Sequence, residues 1–166
     1  MTEYADIDKV LSELRHGHSC LLLNENSAGG VTGFVVVAAE HCEAEHIAFM
    51  ARQARGLVCL AMTPQRCEEL ELPLMVEGDD SLSPFTLSIE AATGIDTGIS
   101  AADRARTVRV AVDASSQASD LVQPGHIFPI AAALGGVLTR TAPAEAAMDL
   151  TTLAGLLPSA VFTEVL

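Results

Sequence analysis

Apolar residues recur along this chain in two rhythms. Ile7, Val10, Leu11 and Leu14 follow the i, i+3, i+4, i+7 spacing of one helix face, and Gly17 stops the run. Residues 20–23 and 34–39 are short, β-rich apolar runs, so the stretch between them, N-E-N-S-A-G-G-V-T-G at 24–33, joins two strands. Residues 43–54 read as a helix with Ile47, Met50 and Ala54 on one face. Gly56 ends it, and 57–61 is a strand. A short helix over 64–70 has Pro64 in its first turn, and the polar segment 77–84 is a loop. The string F-T-L-S-I-E-A at 85–91 alternates as a half-buried strand does. Ser100-Ala101-Ala102-Asp103 has the S-x-x-D form of a capping box, which predicts a helix running to about Val112.

Residues 114–120 are small and polar, a loop or a short helix. Pro124-Gly125 reads as a turn followed by a strand over 126–130. Pro143 sits where a first-turn proline belongs, the helix continues over 144–154, and 160–166 forms a last strand. Strands and helices are mixed throughout, with neither an internal repeat nor a linker. The pattern predicts one α+β domain over residues 1–166, a mixed sheet with flanking helices.

Composition narrows the partners. The 166 residues carry a formal net charge of −13, a field that repels phosphate backbones and anionic bilayers. Nucleic acid and membrane are therefore not expected as partners. No apolar run approaches the roughly 20 residues that span a bilayer. The acidic N-terminus lacks the basic and apolar regions of a signal peptide, so a cytoplasmic protein is expected. Cys20, Cys42, Cys59 and Cys67 show no C-x-x-C spacing and read as reduced, structural thiols.

Two stretches invite a chemical reading on spacing alone. Cys42 and His46 are four apart in H-C-E-A-E-H and share a helix face, but zinc needs three or four convergent ligands and no second pair stands out. An acidic first helical turn is the simpler reading. The glycines of 24–33 do not match G-x-x-x-x-G-K-[ST] and lead into a strand instead of a helix N-terminus, so a plain turn is favoured over a phosphate cradle.

More specific strings lie elsewhere. T-G-I-S-A-A-D-R-A-R-T-V-R begins at Thr97, P-G-H-I-F-P begins at Pro124, and G-G-V-L-T-R ends at Arg140. Together with G-L-V-C at 56–59 and L-P-L-M-V-E at 72–77, they make the chain resemble the 3,4-dihydroxy-2-butanone 4-phosphate synthase family over nearly its whole length. That resemblance implies an α+β fold and a homodimer with its site near the subunit interface. It also implies an enzyme that enolises and rearranges ribulose 5-phosphate with Mg²⁺ and releases formate. By the same resemblance, His126, Glu164, Cys59 and Asp103 hold catalytic places. Arg140, Thr97 and Ser100 hold substrate-side places, as do Gly29, Gly30 and Thr32 in the loop. Five of them have a plainer alternative: satisfying buried polar groups or capping helices for Asp103 and His126, core for Cys59, a surface ion pair for Arg140, a solvated carboxylate for Glu164.

The chain also departs from the family's pattern. The acidic loop, approximately D-D-E-D-R-E-N-E-G-D, aligns without gaps on 25–34. Glu25 and Gly33 persist there. The arginine becomes Gly29, the metal-binding glutamate Gly30, the second glutamate Thr32 and the last aspartate Phe34. In R-x-G-H-T-E-A, aligned on 140–146, the metal-ligand histidine is Pro143 and the phosphate-contacting threonine is Ala144. Gly30 and Pro143 offer no side-chain oxygen to Mg²⁺. Relative to the family the chain is also short at its C-terminus, stopping at Leu166.

These losses lead to an expectation of no metal and no cofactor. They point to a repurposed, metal-independent enzyme, a lyase, isomerase or cyclase for an apolar, non-phosphorylated carbonyl metabolite of specialised metabolism. Two alternatives stand beside it: a non-catalytic binding or regulatory homologue, and residual synthase activity on ribulose 5-phosphate.

Overall fold

The computed structural model describes residues 4–25, 28–76 and 84–166. The loop expected over 77–84 therefore lies almost wholly outside the described residues, as do positions 26 and 27 of the opening loop.

Five α-helices are described: α1 (Ile7–Arg15), α2 (Ala44–Phe49), α3 (Pro64–Glu69), α4 (Ala101–Val112) and α5 (Pro143–Leu153). Six strands, β1 (Cys20–Glu25), β2 (Val31–Ala38), β3 (Cys59–Met62), β4 (Ile89–Ala91), β5 (Leu121–Ala131) and β6 (Ala160–Glu164), form one sheet. Its order is β1-β2-β6-β3-β5-β4. Only β3 and β5 run parallel; the other neighbours are antiparallel. The predicted single mixed sheet with flanking helices is the observed fold.

Strand alternation decides which helix covers which face. Val35, Val37, Leu60, Met62 and Val161 point into one core layer with Ile47 and Met50 of the α2 segment and Val108 of α4. Phe34, Val36, Cys59, Ala61 and Phe162 point into the other, against Ala144, Ala147 and Met148 of α5. Alanines on α5 allow that helix to lie close to the sheet. Both faces are covered, so the central strands β2, β3 and β6 are apolar almost throughout.

Three local departures from the predicted pattern have physical causes. The helix expected over 43–54 is α-helical only to Phe49 and continues as a π-helix over Met50–Ala54, closed by Arg55 at φ 67. The alternation of 85–91 gives a strand only over Ile89–Ala91, because Thr86 and Ser88 are buried polar residues and Leu87 is exposed. Ser88 Oγ accepts from the Gly125 N–H at 3.0 Å, a partner invisible in the local pattern. Pro124-Gly125 does not end a turn before a strand; it lies inside β5, where residues 123–126 bulge opposite the Ile89/Glu90 junction.

Candidate active site

The face covered by α5 carries a cavity of about 380 Å³. Strands supply Phe34, Cys59 and Phe162, the start of α5 supplies Pro143 and Ala144, and Arg140 and Glu164 bring the two charges. The rings of Phe34 and Phe162 meet edge to face, centroids 6.2 Å apart. Glu164 is exposed at the end of β6, which places a carboxylate at the cavity mouth.

Arg140 is held from below. Its Nη2 donates to Oε1 of Glu145, one turn into α5. Glu145 is fully buried, whereas the Arg140 side chain keeps 31% of its surface exposed. The same Oε1 accepts from the Ala133 N–H at 2.7 Å. A buried carboxylate with two donors is a fixed anchor, and a guanidinium tied at one edge still presents N–H groups to an anionic ligand.

Cys59 does not fit the role of nucleophile. Burial pushes its thiol up to about 12, and its Sγ contacts only the Leu57 carbonyl, at 3.7 Å. A reactive thiol is lowered by a cation or paired with a base, whereas burial alone sets this one. It is a wall of the cavity.

A second cluster lies off this cavity, at the β4–β5 edge. His126 Nδ1 hydrogen-bonds Glu90 Oε1. The Glu90 carboxylate packs on Gly98, whose N–H donates to Asp103 Oδ2 at 3.1 Å. Ser100 caps α4 through its Oγ, accepting from the Asp103 N–H at 3.0 Å. The capping box is thus half-formed: Asp103 bonds Gly98 and not the Ser100 N–H. Ser100 and Asp103 are occupied in local structure, and Thr97 is exposed on the loop before them. Within one chain, His126, Asp103, Thr97 and Ser100 are not among the residues that line the Arg140 cavity.

The loop residues form a third group. Thr32 pairs with Asn24 in the β1–β2 hairpin, and Gly29 and Gly30 lie exposed at its tip. None of the three lines the Arg140 cavity. Where the hairpin meets the start of α5, a smaller cavity of about 170 Å³ is lined by Leu23, Asn24, Thr141, Pro143 and apolar neighbours, with no carboxylate, imidazole or thiol. Glu25, the acid that persists, accepts a hydrogen bond from the Tyr4 hydroxyl.

Sequence reasoning missed Glu90 and Glu145. Glu90 looked like an outward position of an alternating strand. Glu145 stood only as the acid of the string aligned on 140–146, with no role given to it. Neither reading revealed a buried partner far from the local pattern.

Comparison with known proteins places this geometry. The sequence profile of the 3,4-dihydroxy-2-butanone 4-phosphate synthase family matches residues 8–166. A protein of that name from Pseudomonas syringae pv. tomato is 48% identical over 96% of this chain and 44% of its own length. One from Pectobacterium carotovorum is 45% identical over 95% of this chain and 73% of its own length. The crystal structure of a two-domain 3,4-dihydroxy-2-butanone 4-phosphate synthase from A. baumannii superposes with a TM-score of 0.91 at 42% identity, covering 98% of this chain and 48% of that one. A synthase structure in complex with two magnesium ions superposes equally well at 34% identity, covering 98% and 76%. The chain spans under half the length of the first of these relatives.

These relatives overturn the expectation of a repurposed, metal-independent enzyme for an apolar metabolite, and the isomerase, cyclase and specialised-metabolism assignments fall with it. Identity of 45–48% over nearly the whole chain is shared with proteins named for the synthase itself. The pocket agrees, since it keeps Arg140 and Glu164 as charged groups at its walls.

The magnesium of the family does not find a matching donor set in the described residues. Mg²⁺ favours near-octahedral oxygen ligation, with one or two carboxylates. Gly30 and Pro143 supply none, the hairpin–α5 cavity has no acid, and no three His, Cys, Asp or Glu residues converge among the described residues.

Proposed function

The chain belongs to the 3,4-dihydroxy-2-butanone 4-phosphate synthase family, and from that premise we propose that it serves the riboflavin pathway as a synthase-type domain acting on ribulose 5-phosphate. The observation that carries the reading is the single cavity in which Arg140 and Glu164 face a ligand-sized space, in a chain so similar to named synthases. The far edge of the Arg140 guanidinium, opposite the Nη2 bond to Glu145, would meet a phosphate or an enolate oxygen. In this reading Glu164 takes a proton from the carbon beside the sugar carbonyl and His126 returns one. Because the described donors do not suit magnesium, no step is drawn through an ion.

His126 stands off the Arg140 cavity in one chain, an arrangement that two copies sharing a site would explain. We therefore assign a homodimer with the site near its interface. A cytoplasmic location accompanies this reading. No helix among the described residues is long and apolar enough to cross a membrane.

The test is formate release from ribulose 5-phosphate, with and without Mg²⁺. Formate from the unmodified chain, lowered about 10²-fold in kcat/KM by Arg140→Met, supports the reading. A second reading, a non-catalytic homologue of the synthase, is favoured by the donor-free Gly30 and Pro143 positions. It is supported instead if ribulose 5-phosphate raises the melting temperature and no formate appears.

A further inference from the structure

A half-exposed imidazole is a useful proton carrier only if the correct nitrogen is bare and aimed. At His126 the structure fixes one nitrogen and leaves the other free. Nδ1 meets the Glu90 carboxylate, and nothing among the described residues hydrogen-bonds Nε2. A carboxylate accepts and does not donate, so in the neutral ring the proton sits on Nδ1 and Nε2 carries the lone pair.

Glu90 is itself packed between Gly98 and Gly125. Its side chain keeps only 16% of its surface, against 44% for His126. Gly98 stands against the carboxylate, at φ +78, and a Cβ there would overlap Oε1. Asp103 fixes Gly98 through the 3.1 Å bond to its N–H. The next residue along β4, Ala91, donates its N–H to the fully buried Thr107 hydroxyl at 3.0 Å, which bolts β4 to α4. Just before β4, Ser88 Oγ accepts from the N–H of Gly125 on the opposite strand at 3.0 Å, beside His126. The bulge at 123–126 presents the histidine to this carboxylate. An exposed surface pair would not need such a frame.

We infer that Glu90 is a positioning residue for His126: seated by Gly98 and Asp103, it holds the ring in the Nδ1–H tautomer and leaves Nε2 for the reacting molecule. The inference rests on the proposed function for its catalytic consequence, but its geometric content stands alone. It also gives Asp103 a role, as the anchor of the Gly98 seat and not as a group that meets substrate.

The test is ¹⁵N spectroscopy of the imidazoles in the full chain, with His126 assigned by His126→Gln. The neutral ring of the unmodified protein should carry its proton on Nδ1. In Glu90→Ala the Nε2–H tautomer should become the major one, and in Gly98→Ala, where the carboxylate is pushed off its seat, the signature should shift the same way. Circular dichroism confirms that each variant is folded. A His126 ring already protonated on Nε2, or one unmoved by both substitutions, overturns the inference whether or not the chain turns over. If formate is released, Glu90→Ala should lower kcat about 10²-fold with KM within about twofold, and Glu90→Asp should recover part of the loss. Unchanged kcat in Glu90→Ala overturns the positioning role. Absence of formate from the unmodified chain instead defeats the proposed function and leaves the spectroscopic result to decide the geometry.

Discussion

Arg140 and Glu145 form an ion pair whose acidic half is wholly out of water while its basic half reaches the cavity. The pair is asymmetric in consequence. Removing the arginine strands a charge in the core, and removing the glutamate frees a cation that solvent can still reach. Glu145 Oε2 is already buried without a partner, so the site has little reserve. Arg140→Ala should therefore destabilise the fold by about 3 kcal/mol, near the lower end for broken buried pairs. For a chain of this size that is roughly a 10 °C fall in melting temperature. Glu145→Gln should cost less, since an amide oxygen can still accept from Ala133. Urea denaturation of the two variants and of Arg140→Met/Glu145→Leu checks this. An Arg140→Ala protein as stable as the parent would show that the pair is merely superficial.

The thiols predict how stability varies at high pH. Burial raises Cys42 and Cys59 to about 12 and Cys20 and Cys67 to about 11. Between about pH 9 and those values the unfolded chain has released thiol protons that the folded chain keeps. Stability therefore falls as pH rises through this window, and the slope fades to nothing about two units below pH 9. Melting temperature should drop from pH 9 to 11, and Cys42→Ala/Cys59→Ala should reduce the slope. Alkylation of the folded protein at pH 7.5 should be slow at all four sites. Fast labelling of Cys59 at that pH would restore it as a candidate nucleophile.

Gly56 sits where β3 begins, directly against β6. A Cβ there would overlap the Glu164 carbonyl and come within 2.9 Å of Thr163 Oγ1. Backbone cannot swing aside as a flexible side chain does, so Gly56→Ala must separate the strands or shift the end of β6. The expected cost is about 2 kcal/mol, with Glu164 displaced from the cavity mouth. Ligand affinity should then fall more than Glu164→Gln alone lowers it, as isothermal titration with ribulose 5-phosphate would read. Equal affinities would mean that the approach of β3 and β6 does not place Glu164.

Most of the fold was legible because it rests on local signals. Ile7 to Leu14 show helical spacing, Ser100 supplies a cap, and Pro143 opens α5, and each is where its neighbours in sequence place it. The errors came where tertiary contact overrides pattern. Thr86 and Ser88 are polar yet buried, because β5 covers them and supplies partners. The site was legible only by residue type. Sequence motifs picked out His126 and Arg140, but the glutamates that hold them, Glu90 and Glu145, are 36 and 5 residues away along the chain. Direction of change was misread as well. Gly30 and Pro143 mark real losses of donors, yet Arg140 and Glu164 keep the cavity charged, and the relatives keep the chain within the synthase family.

The donor losses themselves can be reversed. Pro143 occupies the first turn of α5, where a missing backbone N–H costs nothing, so another residue there is tolerated with only a small loss of preorganisation. A histidine at that place and a glutamate at position 30 would add an imidazole beside the hairpin–α5 cavity and a carboxylate at the hairpin tip, where no acid lines the cavity now. Pro143→His/Gly30→Glu should therefore raise Mg²⁺-stimulated formate release from ribulose 5-phosphate about 10²-fold above the parent chain. Each single substitution should do far less, because one carboxylate or one imidazole alone holds Mg²⁺ weakly. Titration of Mg²⁺ against both activity and melting temperature separates binding from catalysis. If the double variant gains Mg²⁺ affinity but no activity, the deficiency lies elsewhere in the site. If it gains neither, Gly30 and Pro143 are not the positions that set the affinity for Mg²⁺.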